Sequence, residues 1–153
     1  GKAADFGAGW GFLSAMILTR APGVTALELF EADHASLEAA KVNLGECNSQ
    51  TPTFFHWRDL LAEPVEASFD AIVMNPPFHT GRTADPALGA AFVRAARRML
   101  AMNGSLWLVA NRHLPYDAVL DECFLEVRDV AGDGGFRVIH ATKPRRDPLR
   151  AKP

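Results

Sequence analysis

Short apolar runs alternate with segments of helical spacing along the chain. Lys2 to Phe6 reads as a short buried strand, and glycines at 7, 9 and 11 mark a tight turn into a helix from about Phe12 to Arg20. Ala21-Pro22-Gly23 stops that helix. Val24 to Phe30 predicts a second strand, after which Asp33 or Ser36 can cap a helix whose Leu37, Ala40 and Leu44 recur on one face. Thr53 to Trp57 predicts a third strand. Phe69 to Met74 predicts a fourth, largely apolar as befits a strand buried on both faces of a parallel sheet, and Asn75 with two prolines must end it.

A polar loop follows. Leu88, Phe92, Ala95 and Met99 then give helical spacing, with Asn103-Gly104 expected to close the helix and Ser105 to Ala110 to supply strand five. Pro115 suits the first turn of a short helix through Leu125. Val127 to Ala131 and Phe136 to Ala141, joined by Gly132-Asp133-Gly134-Gly135, predict a hairpin. The sum is an α/β fold: a Rossmann-like, doubly wound, mostly parallel sheet with an antiparallel C-terminal hairpin. Residues 1–142 form the expected domain, and 143–153, rich in proline and basic residues, a mobile tail.

Length and composition agree with one domain: 153 residues, 48% hydrophobic and 22% charged. No apolar run approaches twenty residues and no leader pattern is present, which argues against a membrane partner and for a cytosolic protein. Cys47 and Cys123 are isolated, so metal or redox chemistry has little support and both are expected as ordinary buried or half-buried thiols. The net charge of −2 excludes a uniformly basic nucleic-acid binder, yet the basic residues collect in the second half. A phosphate-rich partner would fit this asymmetry, as would solvated helix faces and a basic tail. Gly1-Lys2 runs directly into the first strand without an initiator Met, so the chain is expected to begin mid-protein.

Candidate chemistry sits at strand ends. In Asp5-Phe6-Gly7-Ala8-Gly9-Trp10-Gly11, small residues let a ligand approach the backbone and the following helix. The Gly-x-Gly-x-Gly spacing differs from the dinucleotide fingerprint, and Asp5 suits a cationic group better than a pyrophosphate. Glu31, twenty residues after Gly11, can accept from both hydroxyls of a ribose, with Glu28 and Asp33 competing for the role. Asp59 can accept from an adenine amino group or cap a helix.

Asn75-Pro76-Pro77-Phe78 is the sharpest feature. The Asn75 side-chain oxygen and the Pro76 carbonyl can each accept one N–H of a planar amino group, aiming its lone pair at an electrophile, and Phe78 can stack on the ring that carries it. Pro77 stiffens the loop. No strong general base is needed, since the proton can leave once the nitrogen is cationic. His79 is a candidate for substrate contact or a structural loop histidine, and Arg82 can meet phosphate or simply face solvent.

These motifs, with Asn43, Val109-Ala110-Asn111-Arg112-His113-Leu114-Pro115-Tyr116, Leu120, Phe124 and Phe136-Arg137-Val138, resemble the class I methyltransferases. The nearest likeness is to the bacterial small-subunit ribosomal RNA guanine-N2 methyltransferase called C and its large-subunit relative called G. The resemblance covers nearly the whole chain except its tail. It implies S-adenosylmethionine as cofactor, with Asp5, Gly7, Gly9 and Gly11 near its methionine part, Glu31 on its ribose, Asp59 near adenine and Asn75 between cofactor and acceptor. It further implies a guanine N2 in 16S ribosomal RNA as target, ribosomal RNA or the small subunit as partner, and an N-terminal domain upstream. Two departures stand out: Ala8 where the family often has Cys, and Glu31 where it often has Asp. Release-factor glutamine, adenine N6 and 23S guanine N2 are the alternative acceptors, although Phe78-His79 favours guanine over the first two. An inactive RNA-assembly module is the non-enzymatic alternative.

Overall fold

A computed structural model describes residues 1–63, 65–77, 79–80 and 83–146, with residues 79, 80, 83 and 84 described by backbone alone. The elements are, in chain order, β1 (Lys2–Phe6), α1 (Phe12–Arg20), β2 (Ala26–Glu31), α2 (His34–Gly45), β3 (Thr53–Trp57), β4 (Phe69–Met74), β5 (His79–Thr80), β6 (Thr83–Ala84), α3 (Pro86–Met99), β7 (Leu100–Asn111), α4 (Asp117–Cys123), β8 (Phe124–Gly132) and β9 (Phe136–Pro144). Seven strands form one sheet in the order β3-β2-β1-β4-β7-β9-β8. The pairs from β3 to β7 are parallel, and β9 runs antiparallel to both β7 and β8. The predicted fold class is therefore the observed one.

This order positions a site. The chain steps outward from β1 to β3, then returns to lay β4 on the other side of β1, so the connections leaving β1 and β4 diverge. A crevice opens at the carboxyl ends of two such strands. Those ends are Phe6, followed by Gly7, and Met74, followed by Asn75.

Alternating side chains fill two layers. On one face Phe6, Phe30, Phe69, Ile72, Met74, Leu106 and Leu108 pack with Phe92, Val93 and Ala96 of α3 and Val119 and Leu120 of α4. On the other, Ala3, Leu27 and Leu29 pack with Ala40 and Leu44 of α2. Phe6, Phe30 and Phe69 meet edge to face, with ring centroids 5.6 to 6.4 Å apart. Burying each such ring contributes roughly 1.5–3 kcal/mol. Because Phe6 and Phe30 immediately precede Gly7 and Glu31, this cluster also fixes where the two strands release their loops.

Several predicted boundaries move. The helix α3 ends at Met99, and Asn103-Gly104 belongs to β7 instead of closing it. Residues 101–104 form an irregularity against β4, since Phe69 pairs with Leu100 and Ala71 with Ser105. A Cβ on Gly104 would lie 2.9 Å from the Phe69 carbonyl oxygen, so glycine there serves a close backbone approach. The helix α4 stops at Cys123, short of Leu125, because Phe124 turns extended and starts β8. The segment expected as a polar loop holds the small hairpin β5–β6.

The tail boundary at residue 143 also moves. Lys143 and Pro144 continue β9, and the Arg145 N–H donates to the Cys123 carbonyl at 2.8 Å. Residues 147–153 lie outside the described residues. Cys123 is buried and Cys47 half-buried, both free thiols.

Candidate active site

The loop after β1 is held from several sides. Gly7 and Ala8 donate their N–H groups to the Phe30 carbonyl at 2.9 and 3.2 Å, and Gly11 donates to Ala8 at 2.9 Å. Gly9 and Gly11 have φ of 55° and 90°, a region that side chains other than glycine rarely adopt. A Cβ on Gly11 would sit 2.5 Å from Leu44 Cδ1, so this glycine also lets α1 approach α2. A Cβ on Gly9 would meet nothing within 4 Å among the described residues. Gly9 therefore keeps open space beside the loop.

Glu31 ends β2 facing that space. Its Oε2 accepts the Gly9 N–H and its Oε1 the Asp33 N–H, both at 2.8 Å. The two competing acids are engaged elsewhere: Glu28 pairs with Lys2 and His56, and Asp33 caps α2 by accepting from the Ser36 N–H at 2.8 Å. Asp59 accepts from the N–H groups of Leu61 and Ala62 at 2.9 and 3.3 Å, so it caps the turn after β3 while lining the same cleft as Glu31.

Asp5 lies on β1 with only 1% exposure. Its Oδ2 accepts from the Ser14 hydroxyl at 2.7 Å, while Oδ1 has no hydrogen-bond partner among the described residues. Burial pushes the carboxyl up to about 6; the Ser14 bond opposes this and the Glu31 charge adds to it.

Two clefts meet here. One, of about 410 Å³, is lined by Glu31, Asp59, Leu60, Leu61 and Phe92 among others. The second, of about 350 Å³, is lined by Asp5, Trp10, Phe12, Leu13 and Val109. Gly7, Gly9 and Asn75 line both. Asn75 is exposed and Pro76 buried, so the amide sits at the junction on a stiff, anchored loop.

The structure thus brings Asp5, Gly7, Gly9, Glu31, Asp59, Asn75 and Pro77 to one crevice, whereas Gly11 serves helix packing. Phe78 and Arg82 lie outside the described residues, and His79 is described only as backbone in β5. Sequence reasoning passed over Ser14, whose hydroxyl polarity gives no hint of burial against Asp5. It also passed over Trp10 and Phe12, although a tryptophan between two glycines at a helix entrance was a visible signal.

The family model described as Methyltransferase small domain matches residues 1–140. Ribosomal RNA large subunit methyltransferase G of Ectopseudomonas mendocina is 32% identical over 142 residues, covering 93% of this chain and 38% of its own length. Ribosomal RNA small subunit methyltransferase C of Idiomarina loihiensis is likewise 32% identical over 142 residues, covering 93% of this chain and 41% of its own. A T. thermophilus 16S rRNA N2 methyltransferase, solved in complex with AdoMet and guanosine, matches with a TM-score of 0.77 and 30% identity over 93% of this chain and 37% of that one. The chain spans about two fifths of the length of these relatives.

Proposed function

The chain belongs to the Methyltransferase small domain family, and we propose that it transfers a methyl group from S-adenosylmethionine to the exocyclic N2 of a guanine in 16S ribosomal RNA. The observation that carries this reading is the position of Asn75, the amide on the wall common to both clefts.

The residues fit the cofactor. Asp5 Oδ1 is a buried carboxylate oxygen without a partner among the described residues, suited to a cationic amino group, and Gly9 leaves its side of the cleft clear of them. Glu31 would hold the ribose hydroxyls, each of its oxygens keeping a lone pair beyond the backbone bond it already accepts. Asp59 would lie near adenine, with Leu60, Leu61 and Phe92 supplying apolar walls. When bound, S-adenosylmethionine supplies an electrophilic methyl group and leaves as S-adenosylhomocysteine.

Toward the acceptor, Asn75 Oδ1 and the Pro76 carbonyl accept the two N–H bonds of the guanine amino group. This turns the nitrogen lone pair out of conjugation and toward the methyl donor. Pro77 holds the loop in shape; the stacking role of Phe78 and the substrate contacts of His79 and Arg82 rest on the sequence alone. The proton leaves after the nitrogen becomes cationic, so the site needs orientation more than a base.

Guanosine in the T. thermophilus relative supports guanine as the acceptor. The large-subunit relative at equal identity favours one second reading, guanine N2 in 23S ribosomal RNA. Incubating the protein with labelled S-adenosylmethionine and, separately, unmodified small-subunit RNA, large-subunit RNA, release factor and DNA separates the possibilities. Label in a 16S guanine is expected; label only in 23S RNA, protein or DNA contradicts the reading.

A further inference from the structure

The second cleft carries an aromatic pair with no role in the account so far. Trp10 and Phe12 are 57% and 52% exposed, with ring centroids 5.5 Å apart and planes tilted by 55°. The two large rings, one on each side of Gly11, pack on each other in water and form an apolar contact surface beside the cleft. Both line the cleft that Asn75 also lines.

The backbone under Trp10 is fixed. Its carbonyl accepts from Asn43 Nδ2 at 2.9 Å, the preceding Gly9 N–H donates to Glu31, and the following Gly11 N–H donates to Ala8. A ring on such a support is preorganised, so stacking on it orders little more of the chain.

We propose that Trp10, buttressed by Phe12, is the stacking wall for the extruded nucleobase that presents its amino group to Asn75. This rests on the reading above, in which the acceptor is an unstacked base. Such a base offers a flat π face of about the size of an indole ring, and base–aromatic stacking is a general device for holding it. Trp10 is thus a positioning residue for the acceptor, in the cleft that Asn75 lines and Glu31 and Asp59 do not.

The test compares Trp10→Ala and Trp10→Phe with the unaltered protein. In methyl transfer at varied concentrations of unmodified small-subunit RNA, Trp10→Ala is expected to raise the RNA KM about tenfold or more. Trp10→Phe should recover most of the loss, and calorimetry should find S-adenosylhomocysteine affinity reduced far less than the RNA KM is raised, although Trp10 shares its cleft with Asp5. An unchanged RNA KM, an equal loss of cofactor affinity, or a Trp10→Phe variant as impaired as Trp10→Ala overturns the assignment.

A second readout does not depend on turnover. In a Trp57→Phe, Trp107→Phe background, the remaining Trp10 fluorescence should be quenched when a single-stranded RNA oligonucleotide is added. Absence of quenching sinks the stacking wall even if methyl transfer to RNA is seen. Quenching without any transfer to RNA would instead retain the wall and remove the proposed reaction.

Discussion

The Oε2 atom of Glu31 accepts the Gly9 N–H at 2.8 Å, joining the end of β2 to the glycine loop after β1. Glu31→Ala therefore removes the proposed ribose contact and loosens the loop at once. We expect cofactor affinity to fall about tenfold or more, the scale of hydrogen bonds to a charged group. Glu31→Gln should not restore it, because one side-chain oxygen becomes an NH₂ that faces a backbone N–H. Calorimetric titration with S-adenosylhomocysteine checks both variants; unaltered affinity in Glu31→Ala removes Glu31 from the site.

Asn75 is exposed and, among the described residues, belongs to neither apolar cluster of the core. Asn75→Ala should leave the melting temperature and cofactor affinity nearly unchanged while lowering turnover about 100-fold or more, the effect of removing one preorganised polar group from a transition state. Turnover within a few-fold of the unaltered protein contradicts the role given to the amide.

Asp5 makes stability depend on pH in a defined direction. Its carboxyl titrates near 6 in the folded chain against an ordinary 3.8, so the folded state holds the proton more tightly. Its contribution is fully present below about pH 4 and is lost as pH rises through about 6, a change of roughly 3 kcal/mol. Asp5→Asn should abolish this component, visible as a flatter melting temperature between pH 4 and 7 than in the unaltered protein. Ser14→Ala, which takes away the hydroxyl bonded to Asp5, should move the midpoint upward. Binding of a cationic cofactor group should show the opposite slope, strengthening from pH 5 to 7, and should lose that slope in Asp5→Asn. Identical pH profiles for the unaltered protein and Asp5→Asn would rule the assignment out.

Tyr116 packs on Gly89 of α3 with no room between them. A Cβ at Gly89 would collide with the Tyr116 hydroxyl oxygen, and Tyr116 is fully buried, so neither can yield. Gly89→Ala should cost about 1–3 kcal/mol, read by urea denaturation. Tyr116→Phe should be neutral or slightly stabilising, since the hydroxyl is buried without a partner among the described residues. A marked loss in Tyr116→Phe would mean that the hydroxyl is bonded after all.

What the sequence made legible was whatever depends on local periodicity or on a residue type required at one spot. The alternation of β1 to β4 with α1 and α2 followed from apolar spacing. Gly9, Glu31 and Asn75 followed from the turn, strand end and proline pair that carry them. What stayed hidden depends on contacts across the fold. The Asn103-Gly104 pair looks like a helix stop, yet β4 draws these residues into an irregular strand whose glycine meets the Phe69 carbonyl. Lys143 and Pro144 look like tail residues, but pairing with β8 extends β9 through them. The burial of Ser14 against Asp5 is set by how α1 packs on β1, which spacing alone does not reveal.

The central claim is the identity of the methyl acceptor, and nucleotide-resolved mass mapping of ribosomal RNA tests it most directly. After incubation of unmodified small-subunit RNA or subunits with the protein and S-adenosylmethionine, one 16S guanosine should gain a single methyl mass that fragmentation assigns to N2. The gain should vanish with Asn75→Ala. A methyl group found on another base, on a ribose or only in 23S RNA would contradict the account.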